Sequence, residues 1–410
     1  MYDIIIIGAG AAGLAAAVEA IFIKPDIRIL ILEKNSKSGR KLSASGNGKC
    51  NLTNSYFASD CYLSNNTLFV ENFIDNNSPS EVVSFFEKCG IMVYEKGGYY
   101  YPLSDMAKQV TSKLLKICSI NGVTIEYDKC ATDIKAVDGG NKYIVKSDDT
   151  QYESRIVIIA AGSSSYPGLG GSDSGYDLIK RMNIDMTPVY PVLIPIYVDD
   201  DKLSIAQGVR ISADITIDTG EDVICERGQI QINKDNLSGI AIMNISCYLP
   251  AMKRGIYKDC ISVDYCPYMS WDELKEYIIK QCDNIINDNV ISALEGVFPN
   301  KFARYLLTKL NINPNTDTKK ITEKQINRLT SNIKRMRYTP IEKFDNDKSQ
   351  ASLGGVDLNE IAMNTYESKK YKGLYIVGEM LDITGKCGGY NLTFAFISGI
   401  NAACDSVKHL

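Results

Sequence analysis

Residues 2–20, YDIIIIGAGAAGLAAAVEA, decide the fold, because an apolar strand runs there into a glycine turn and then into an alanine-rich helix. A second apolar strand, IRILILEK at 27–34, ends on Glu33 and Lys34, and Glu33 lies twenty residues after Gly13. Strand, glycine turn, helix and acid in this order and at this spacing predict a dinucleotide site in a βαβ unit. The alternative, an ordinary glycine-bearing turn, explains none of that context.

The residues of the turn have separate tasks. Gly8 allows the tight turn, Gly10 lets the backbone approach a pyrophosphate, and Gly13 lets the helix lie close to the sheet. The helix that begins with Ala11 and Ala12 directs its free N–H groups and its positive dipole end at the phosphates. The acid after the second strand would accept hydrogen bonds from ribose hydroxyls, which favours a ribose without a 2′-phosphate.

The apolar stretch from Ile4 to Ile23 could also pass for a signal peptide or a membrane span. No basic residue precedes it, Glu19 interrupts it, and its three glycines divide it into a strand and a helix. We therefore expect a cytoplasmic protein with no membrane segment.

The length, net charge, and cysteine and histidine counts of the chain limit the kind of protein that it can be. A chain of 410 residues is expected to form two or three domains. Its formal net charge of −4 argues against general binding of polyanions, although a local basic face stays compatible with it. The twelve cysteines show neither a CxxC pair nor zinc spacing, and the single histidine, His409, leaves no Ser-His-Asp triad and no multi-histidine metal site. We therefore expect no metal.

Strand and helix alternate through the first part of the chain, which predicts a doubly wound, Rossmann-like α/β domain. Short alternating segments follow and predict a small β-barrel, and a run of helical patterns then predicts a helical insert. The end of the chain again has an apolar strand followed by a glycine turn and an apolar helix, as the first part does. The nucleotide domain is therefore predicted to be discontinuous. The predicted division is a cofactor-binding domain at 1–188 and 345–410, a β-barrel domain at 189–270 and about 338–345, and a helical insert at 271–337.

A second informative block, GRKLSASGNGKCNLTN, occupies 39–54. Its small residues, amide and hydroxyl donors and basic side chains predict a loop along a bound cofactor, with backbone N–H groups directed at phosphates or at the edge of a flavin ring. A solvated flexible loop is the alternative. The candidate cofactor-binding residues of this loop are Gly39, Arg40, Lys41, Ser45, Gly46, Asn47 and Gly48.

A third block, GLYIVGEMLDITGKCGGYNLTFAF at 373–396, places an acid after a strand and a glycine pair before a helix. A helix N-terminus can face the flavin N1/C2 carbonyl, where charge accumulates in the reduced form. The alternative is a helix start whose glycines serve packing. The candidate residues of this block are Gly378, Glu379, Gly388, Gly389, Tyr390, Asn391 and Leu392, joined by Ala161 and Gly162 after the strand RIVIIA at 155–160.

These blocks, with IVIIAAGSSSYPGLGGSDSGYDLIKR, YYYPLSDMAKQV and GGVDLNEIAMNTYESKKYKGLYIVGE, resemble the BaiN/YhiN family of NAD(P)/FAD-dependent oxidoreductases, also described as aminoacetone-oxidase-like, nearly from end to end. The resemblance implies FAD as the cofactor, with its ADP half on the first glycine block and Glu33. It also implies that the loop SGNGKCN and the turn GGYN approach the flavin. Relatives usually read GGGRCN where this chain has GNGKCN, so Asn47 replaces a glycine and Lys49 lacks the planar fork of arginine.

The resemblance further implies the reaction, the reduction of a C=C bond conjugated to a carbonyl. The bond belongs to a bile-acid enone in one branch of the family and to uracil in ribosomal RNA in another. Hydride from flavin N5 adds to the carbon distal to the carbonyl, and an acid protonates the other carbon. The candidate catalytic residues are Cys50, Lys49, Tyr390 and Asn391, with Cys50 as the candidate acid or, alternatively, a buried structural thiol. Since no redox CxxxxC pair and no second nucleotide fingerprint occur, NAD(P)H is expected to act as a transient donor at the flavin.

The sequence leaves the substrate open between a small-molecule enone and ribosomal RNA. The segment Lys319 to Arg337 carries seven basic residues against Glu323 alone, which predicts either an RNA contact or a solvated helix face. The tyrosines at 99–101 could stack on a flipped base or belong to a strand and the core. A non-catalytic flavin-binding redox sensor and an amine or aminoketone oxidase are further alternatives. The choice between NADH and NADPH and the oligomeric state also stay open.

Overall fold

The computed structural model describes residues 1–137, 142–251, 258–343 and 345–410. The chain divides into two compact units, the first formed by Met1–Pro191 with Asn346–Leu410 and the second by Val192–Asp345. Each unit has its own apolar core.

The strands of the described residues are, in chain order, β1 (Tyr2–Ile7), β2 (Ile29–Leu32), β3 (Thr53–Asn54), β4 (Tyr62–Leu63), β5 (Val93–Lys96), β6 (Tyr99–Pro102), β7 (Thr124–Glu126), β8 (Ala131–Val137), β9 (Lys142–Ser147), β10 (Thr150–Ile159), β11 (Tyr190–Val192), β12 (Ile196–Tyr197), β13 (Arg210–Asp218), β14 (Val223–Ile232), β15 (Asn236–Ser238), β16 (Ile261–Asp264), β17 (Met336–Tyr338), β18 (Ala351–Leu353), β19 (Leu374–Ile376) and β20 (Thr384–Gly385).

The α-helices of the same residues are α1 (Ala11–Ile23), α2 (Arg40–Ala44), α3 (Thr67–Asn76), α4 (Pro79–Lys88), α5 (Ala107–Ile120), α6 (Ser174–Arg181), α7 (Ile240–Ser246), α8 (Trp271–Cys282), α9 (Val290–Glu295), α10 (Asn300–Lys309), α11 (Glu323–Lys334) and α12 (Tyr390–Lys408).

The main sheet of the first unit has the strand order β7-β2-β1-β10-β9-β8, and β19 also pairs with β10. Pairs among β7, β2, β1, β10 and β19 are parallel, whereas β9 and β8 extend the sheet in antiparallel pairs. The isoleucines of β1 are buried, as expected for a central strand covered on both faces. Burial of each such side chain contributes about 1.5–3 kcal/mol to folding.

The register of the parallel strands brings the sequence blocks to one edge of this sheet. Ile7, the last residue of β1, pairs with Leu32 on one side and Ile159 on the other. The residues that follow these strands therefore emerge together at the carboxyl edge, where open α/β sheets bind ligands. The turn after β1, Glu33 and the loop after β10 all begin there.

The first and last helices pack closely beside this edge. A Cβ atom at Gly399 of α12 would lie 2.3 Å from the carbonyl oxygen of Ala12 in α1, so only glycine fits at position 399. A Cβ at Gly378 would lie 3.0 Å from the Ala12 methyl group. These contacts bring the N-terminal glycine block next to the C-terminal one, although more than 350 residues separate them in the chain.

The second unit contains an antiparallel sheet with the order β12-β15-β14-β13-β16-β17. A further bridge between Val198, just after β12, and Pro340, just after β17, joins the two ends of this order. Helices α8 to α11 share the apolar core of this sheet through residues such as Leu274, Leu306 and Leu329.

The predicted α/β class, with a Rossmann-like sheet, additional antiparallel strands and several helices, is confirmed. The division into a barrel and a helical insert stays a prediction; α11 ends at Lys334 and β17 begins at Met336 within the segment predicted to be helical. Among the described helices, none combines the length and apolar character needed to cross a membrane. Within the same ranges, no three His, Cys, Asp or Glu side chains group in a way that could hold a metal ion.

Candidate functional site

The structure requires glycine at two of the three glycine positions after β1, Gly8 and Gly13, but not at Gly10. Gly8 has a φ of +102°, and a Cβ there would lie 2.4 Å from the carbonyl oxygen of Ala160. A Cβ at Gly13 would lie 2.1 Å from the carbonyl oxygen of Gly8. Gly10 differs, because its φ of −85° suits any residue and a Cβ there would meet nothing within 4 Å. The chain itself thus gives no reason for a glycine at position 10, whereas a bound group approaching the backbone does.

The start of α1 offers hydrogen-bond donors to such a group. The first helical hydrogen bond that reaches back to the turn runs from the N–H of Leu14 to the carbonyl of Gly10, at 3.0 Å. The N–H groups of Ala11, Ala12 and Gly13 come before it and have no helical partner. Together with the helix dipole, these donors suit an anion such as a pyrophosphate.

The Glu33 carboxylate is buried next to this turn. It accepts hydrogen bonds from the N–H of Ala9 at 2.8 Å and from the N–H and the side-chain amide of Asn35 at 2.8 and 2.7 Å. Two carboxylate oxygens offer about four acceptor sites, so capacity remains for a ribose hydroxyl. Burial is the largest cause that lowers the pKa of the adjacent Lys34 ammonium.

The loop at 39–50 is fastened to the turn and follows an unusual backbone path. The N–H of Gly39 donates to the carbonyl of Ala9 at 2.8 Å. Gly46, Asn47 and Gly48 have φ values of +55°, +53° and +87°. Asn47 therefore adopts the left-handed conformation that glycine would adopt, which asparagine tolerates better than most residues. Asparagine at position 47 therefore takes a backbone conformation that a glycine could also adopt.

Cys50 and Lys49 have opposite surroundings. The Cys50 side chain is fully buried, and its desolvation raises the pKa of the thiol to about 11, with a smaller opposing contribution from Ser45. Cys50 is thus a neutral thiol at physiological pH. Lys49 is exposed and forms an ion pair of 3.2 Å with Asp105, whose other oxygen accepts a hydrogen bond from Tyr94 at 2.7 Å.

The turn before α12 packs directly on this loop. Gly388 and Gly389 have φ values of +139° and +96°, and a Cβ at Gly389 would lie 3.1 Å from the side-chain amide of Asn51. The Asn51 Oδ1 atom is buried and has no hydrogen-bond partner among the described residues. Asn54 donates to the carbonyl of Gly388 at 3.1 Å. An orphaned buried acceptor between two predicted flavin loops indicates a missing donor.

Tyr390 and Asn391 begin α12 and serve different contacts. Both polar atoms of the Asn391 side chain bind the backbone of Gly385, at 2.8 and 2.6 Å, so this side chain shapes the turn. The Tyr390 side chain is largely buried and hydrogen-bonded to Cys61, and burial raises the pKa of its phenol well above 10. The backbone N–H groups of Tyr390, Asn391 and Leu392 precede the first helical hydrogen bond, from Thr393 to Gly389.

An ion pair joins the second and third blocks. Lys41 Nζ donates to Glu379 Oε2 at 2.9 Å and to Ser165 Oγ at 2.6 Å. Ser165 Oγ donates to Glu379 Oε1 at 2.8 Å, and the Ser352 N–H donates to the same oxygen at 3.2 Å. The hydroxyl of Ser163 bonds to those of Ser165 and Ser352 at 2.8 and 2.9 Å. Four chain segments at the carboxyl edge are therefore locked by one network.

Sequence reasoning missed Ser163, Ser165 and Ser352. The first two lie in the run SSSYP after β10, where a cluster of hydroxyls next to a nucleotide strand was an available signal, whereas nothing marks Ser352. Arg40 extends over the same region, donating to the carbonyl of Gly168 at 2.8 Å. Gly162 has a φ of +72°, and a Cβ there would meet nothing within 4 Å.

The residues present fit FAD. The turn at Gly10 and the α1 N-terminus suit the pyrophosphate, the Glu33 carboxylate suits the ribose, and the start of α12 suits the flavin carbonyl. A bound dinucleotide would explain two observations. The space beside the Gly10 backbone is open, and the buried Asn51 Oδ1 atom has no hydrogen-bond partner among the described residues.

The basic segment of the second unit has two parts. Lys334 forms an ion pair of 2.7 Å with Asp264 and donates to the carbonyl of Cys266 at 2.9 Å, so its charge is engaged in the fold. The other basic side chains of the segment are exposed and form no ion pair within the described part of the chain. They are Lys319, Lys320, Lys324, Arg328, Arg335 and Arg337.

Comparison with known proteins gives a consistent result. The family described as HI0933-like protein Rossmann domain matches residues 2–405. The 3-dehydro-bile acid delta(4,6)-reductase of Clostridium scindens is 31% identical over 404 residues, which cover 96% of each chain. The ribosomal RNA dihydrouridine synthase of Escherichia coli is 28% identical, covering 99% of this chain and 98% of that protein. The 3-ketosteroid delta1-dehydrogenase of Sterolibacterium denitrificans shares the fold, with a TM-score of 0.53 at 12% identity and full coverage of both chains.

Proposed function

The chain belongs to the HI0933-like Rossmann family of FAD-dependent oxidoreductases, and from that premise we propose that it reduces a carbon–carbon double bond conjugated to a carbonyl, with NAD(P)H as the electron donor. The observation that carries the proposal is the meeting of the Gly8–Gly13 turn, the 39–51 loop and the Gly388–Gly389 turn at one sheet edge of the first unit. The name of the bile-acid relative describes a reduction of this class.

FAD bound at this edge would supply the hydride that adds to the carbon distal to the carbonyl. The side chains and backbone of the chain then have three tasks. The turn at Gly10 and the start of α1 bind the pyrophosphate, and Glu33 orients the ribose. The N–H groups at the start of α12 stabilise negative charge on the bound ring system. In the net reaction NAD(P)H gives up a hydride, solvent gives up a proton, and the product gains two hydrogen atoms.

The proton would come from a side chain that is neutral at physiological pH. Cys50 and Tyr390 both meet this condition, because burial raises the pKa of each group. We propose Tyr390 as the acid, because it begins α12 and keeps a small exposed fraction, with the fully buried Cys50 as the second candidate. The variants Cys50→Ala and Tyr390→Phe distinguish them: loss of the acid should lower the rate of substrate reduction about 100-fold or more while NAD(P)H still bleaches the flavin absorbance at the wild-type rate.

A free enone is the first candidate substrate, and ribosomal RNA is the second. The RNA candidate has a specific observation in its favour, the exposed basic side chains between Lys319 and Arg337 that lack ion-pair partners in the described structure. Such side chains can bind phosphates and release counterions.

The proposal is tested by turnover followed by mass spectrometry of the product. Purified protein loaded with FAD is incubated with NADH or NADPH and either a 3-oxo-4,6-diene bile acid or 23S ribosomal RNA that lacks dihydrouridine. We expect one of the two substrates to gain 2 Da per reacting site. If neither substrate changes while NAD(P)H is oxidised only by oxygen, the reductase proposal is wrong and an oxidase or a redox sensor takes its place.

A further inference from the structure

The turn before α12 is paired with the segment around Cys61. Strands β4 and β20 are antiparallel, with Tyr62 opposite Gly385. The N–H of Lys386 donates to the carbonyl of Cys61 at 2.9 Å, and the Tyr62 hydroxyl donates to the carbonyl of Tyr390 at 3.2 Å. These contacts hold Cys61 beside Tyr390, although more than 300 positions separate the two residues in the chain.

The side chains of this segment form a hydrogen-bonded path from Tyr390 to the surface. The Tyr390 hydroxyl donates to the Cys61 sulfur, and Cys61 Sγ donates to Asp60 Oδ1 at 3.7 Å. The Tyr56 hydroxyl donates to both Asp60 oxygens, at 3.2 and 3.1 Å. Tyr390 and Cys61 are only 7% and 3% exposed, whereas Asp60 lies in solvent. We refer to Tyr390, Cys61 and Asp60 as the polar chain, which leads from the interior to the surface.

Burial keeps the two inner groups of the polar chain protonated. Desolvation is the largest cause that raises the pKa of the Tyr390 phenol and of the Cys61 thiol. Both groups are therefore neutral at physiological pH, and each can hold one proton and pass it on. The other titratable groups that act on the polar chain or on its outer partner include Tyr62 of β4, Tyr99 of β6 and Lys386 before α12.

We propose that Cys61 and Asp60 relay a proton from solvent to Tyr390 after each turnover. The inference rests on the proposed function and deepens it, because it explains how the acid regains the proton that it gives to the substrate. Tyr390 is the group that meets the substrate. Cys61 and Asp60 are positioning residues, since they act through Tyr390.

The relay moves one proton and leaves every member of the polar chain as it began. The Tyr390 phenol protonates the substrate carbon next to the carbonyl and becomes a phenolate. The phenolate takes the thiol proton of Cys61, and the thiolate takes a proton that the Asp60 carboxylate has accepted from solvent. Each transfer goes to the more basic group, because the ordinary pKa rises from about 4 for a carboxyl through about 8.5 for a thiol to about 10 for a phenol. Hydroxyl and thiol hydrogens rotate about single bonds, so the observed contacts serve this direction as well.

The first experiment separates the first turnover from the following ones. Cys61→Ala and Asp60→Asn interrupt the polar chain, whereas Cys61→Ser keeps a hydroxyl in it. Cys89→Ala, at another buried thiol, and Asp26→Asn, at another exposed carboxylate, are the matched controls. The FAD-loaded protein is reduced by NAD(P)H and given the substrate that the wild type reduces. The readouts are the rate of a single anaerobic turnover and the steady-state kcat and KM over a range of pH.

We expect Cys61→Ala and Asp60→Asn to complete the first turnover at the wild-type rate, because Tyr390 begins with its proton, and to lose about tenfold in kcat at unchanged KM. The loss should grow as the pH rises and solvent protons become scarcer. Cys61→Ser and both controls should keep the wild-type kcat. An unchanged kcat of Cys61→Ala or Asp60→Asn, or equal losses in the first turnover and in kcat, would overturn the relay. Absence of substrate reduction by the wild type would instead refute the proposed function.

The second experiment does not depend on activity. Alkylation of Cys61 by iodoacetamide is followed by peptide mass spectrometry in the oxidised holoenzyme as a function of pH. Asp60→Asn should shift the alkylation profile to lower pH, because it removes a negative charge that disfavours the thiolate. Tyr390→Phe should shift the profile to higher pH, because the thiolate loses a hydrogen-bond donor. Profiles that match the wild type in both variants would show that the three groups are not in contact and would overturn the relay.

Discussion

At the scale of single residues, Lys41 and Glu379 form the central contact of the site. The Lys41 ammonium and the Glu379 carboxylate are about one-third and one-fifth exposed, so solvent screens their attraction only in part. Removal of Lys41 would leave the carboxylate with the Ser165 hydroxyl and the Ser352 N–H as partners. Glu379 is therefore stabilised by hydrogen bonds as well as by charge.

We predict that Lys41→Met destabilises the protein by about 1–2 kcal/mol, because the partly buried Glu379 carboxylate loses its cationic partner. The measurement is urea-induced unfolding followed by circular dichroism. Lys37→Met is the matched control, since Lys37 is exposed and has no ion-pair partner among the described residues. The double variant Lys41→Met/Glu379→Gln should recover part of the loss. Equal stabilities of the Lys41 and Lys37 variants would contradict the role of the ion pair.

The Cys50 thiol provides a second test at this scale. A thiol ionises in an unfolded chain near pH 8.5, whereas burial raises the pKa of Cys50 to about 11. Because the folded state prefers the protonated thiol, this contribution to stability is complete below about pH 8.5 and is lost as the pH rises towards 11. We predict that iodoacetamide at pH 8 alkylates the exposed Cys225 within minutes and leaves Cys50 unmodified, as measured by peptide mass spectrometry. Alkylation of Cys50 at a similar rate would show that the 45–50 loop opens.

At the scale of elements, the turn between β1 and α1 contains a glycine that the fold requires, Gly13, and one that only a bound cofactor would require, Gly10. A Cβ fits at Gly10 without any contact, whereas at Gly13 it would collide with the backbone of Gly8. We predict that Gly10→Ala keeps the thermal stability of the FAD-free protein and weakens FAD binding about tenfold or more, measured by fluorescence titration. Gly13→Ala should lower the stability itself. Wild-type FAD affinity of the Gly10 variant would mean that the cofactor does not approach this turn.

The sequence predicts those elements correctly whose pattern is formed by residues close together in the chain. The isoleucine strand, the glycine turn and the acid at Glu33 determine β1, α1 and β2, and the structure has all of them. The pairing of Lys41 with Glu379 joins residues more than 300 positions apart, and no local periodicity encodes such a contact. The side chain of Asn391, a candidate site residue, binds the backbone of Gly385, a contact that only the folded turn reveals, and its role at the flavin stays a prediction.

At the scale of the whole molecule, the basic segment of the second unit bears on the choice of substrate. Six of its seven basic side chains are exposed without ion-pair partners in the described structure, whereas Lys334 is held by Asp264. The sequence alone could not separate Lys334 from the others, because its partner lies 70 residues away on another element.

We predict that Lys324→Glu/Arg328→Glu weakens binding of ribosomal RNA and reduces the dependence of log Kd on log salt by about two ion equivalents, if RNA is the substrate. The same variant should reduce a free bile-acid enone at the wild-type rate. Lys234→Glu, an exposed reversal outside the segment, is the control. An unchanged RNA affinity of the double variant, measured by filter binding at several salt concentrations, would show that the segment is a solvated helix face.

Anaerobic stopped-flow spectroscopy can show whether a flavin held at the carboxyl edge of the first sheet passes a hydride to a conjugated C=C bond. The FAD-loaded protein is reduced with one equivalent of NADH or NADPH and then mixed with the bile-acid dienone or with ribosomal RNA lacking dihydrouridine. We expect the absorbance of the oxidised flavin to return at a rate that saturates with one of these substrates. A flavin that stays reduced with both substrates and recovers only when oxygen is admitted would mean that neither substrate accepts the hydride.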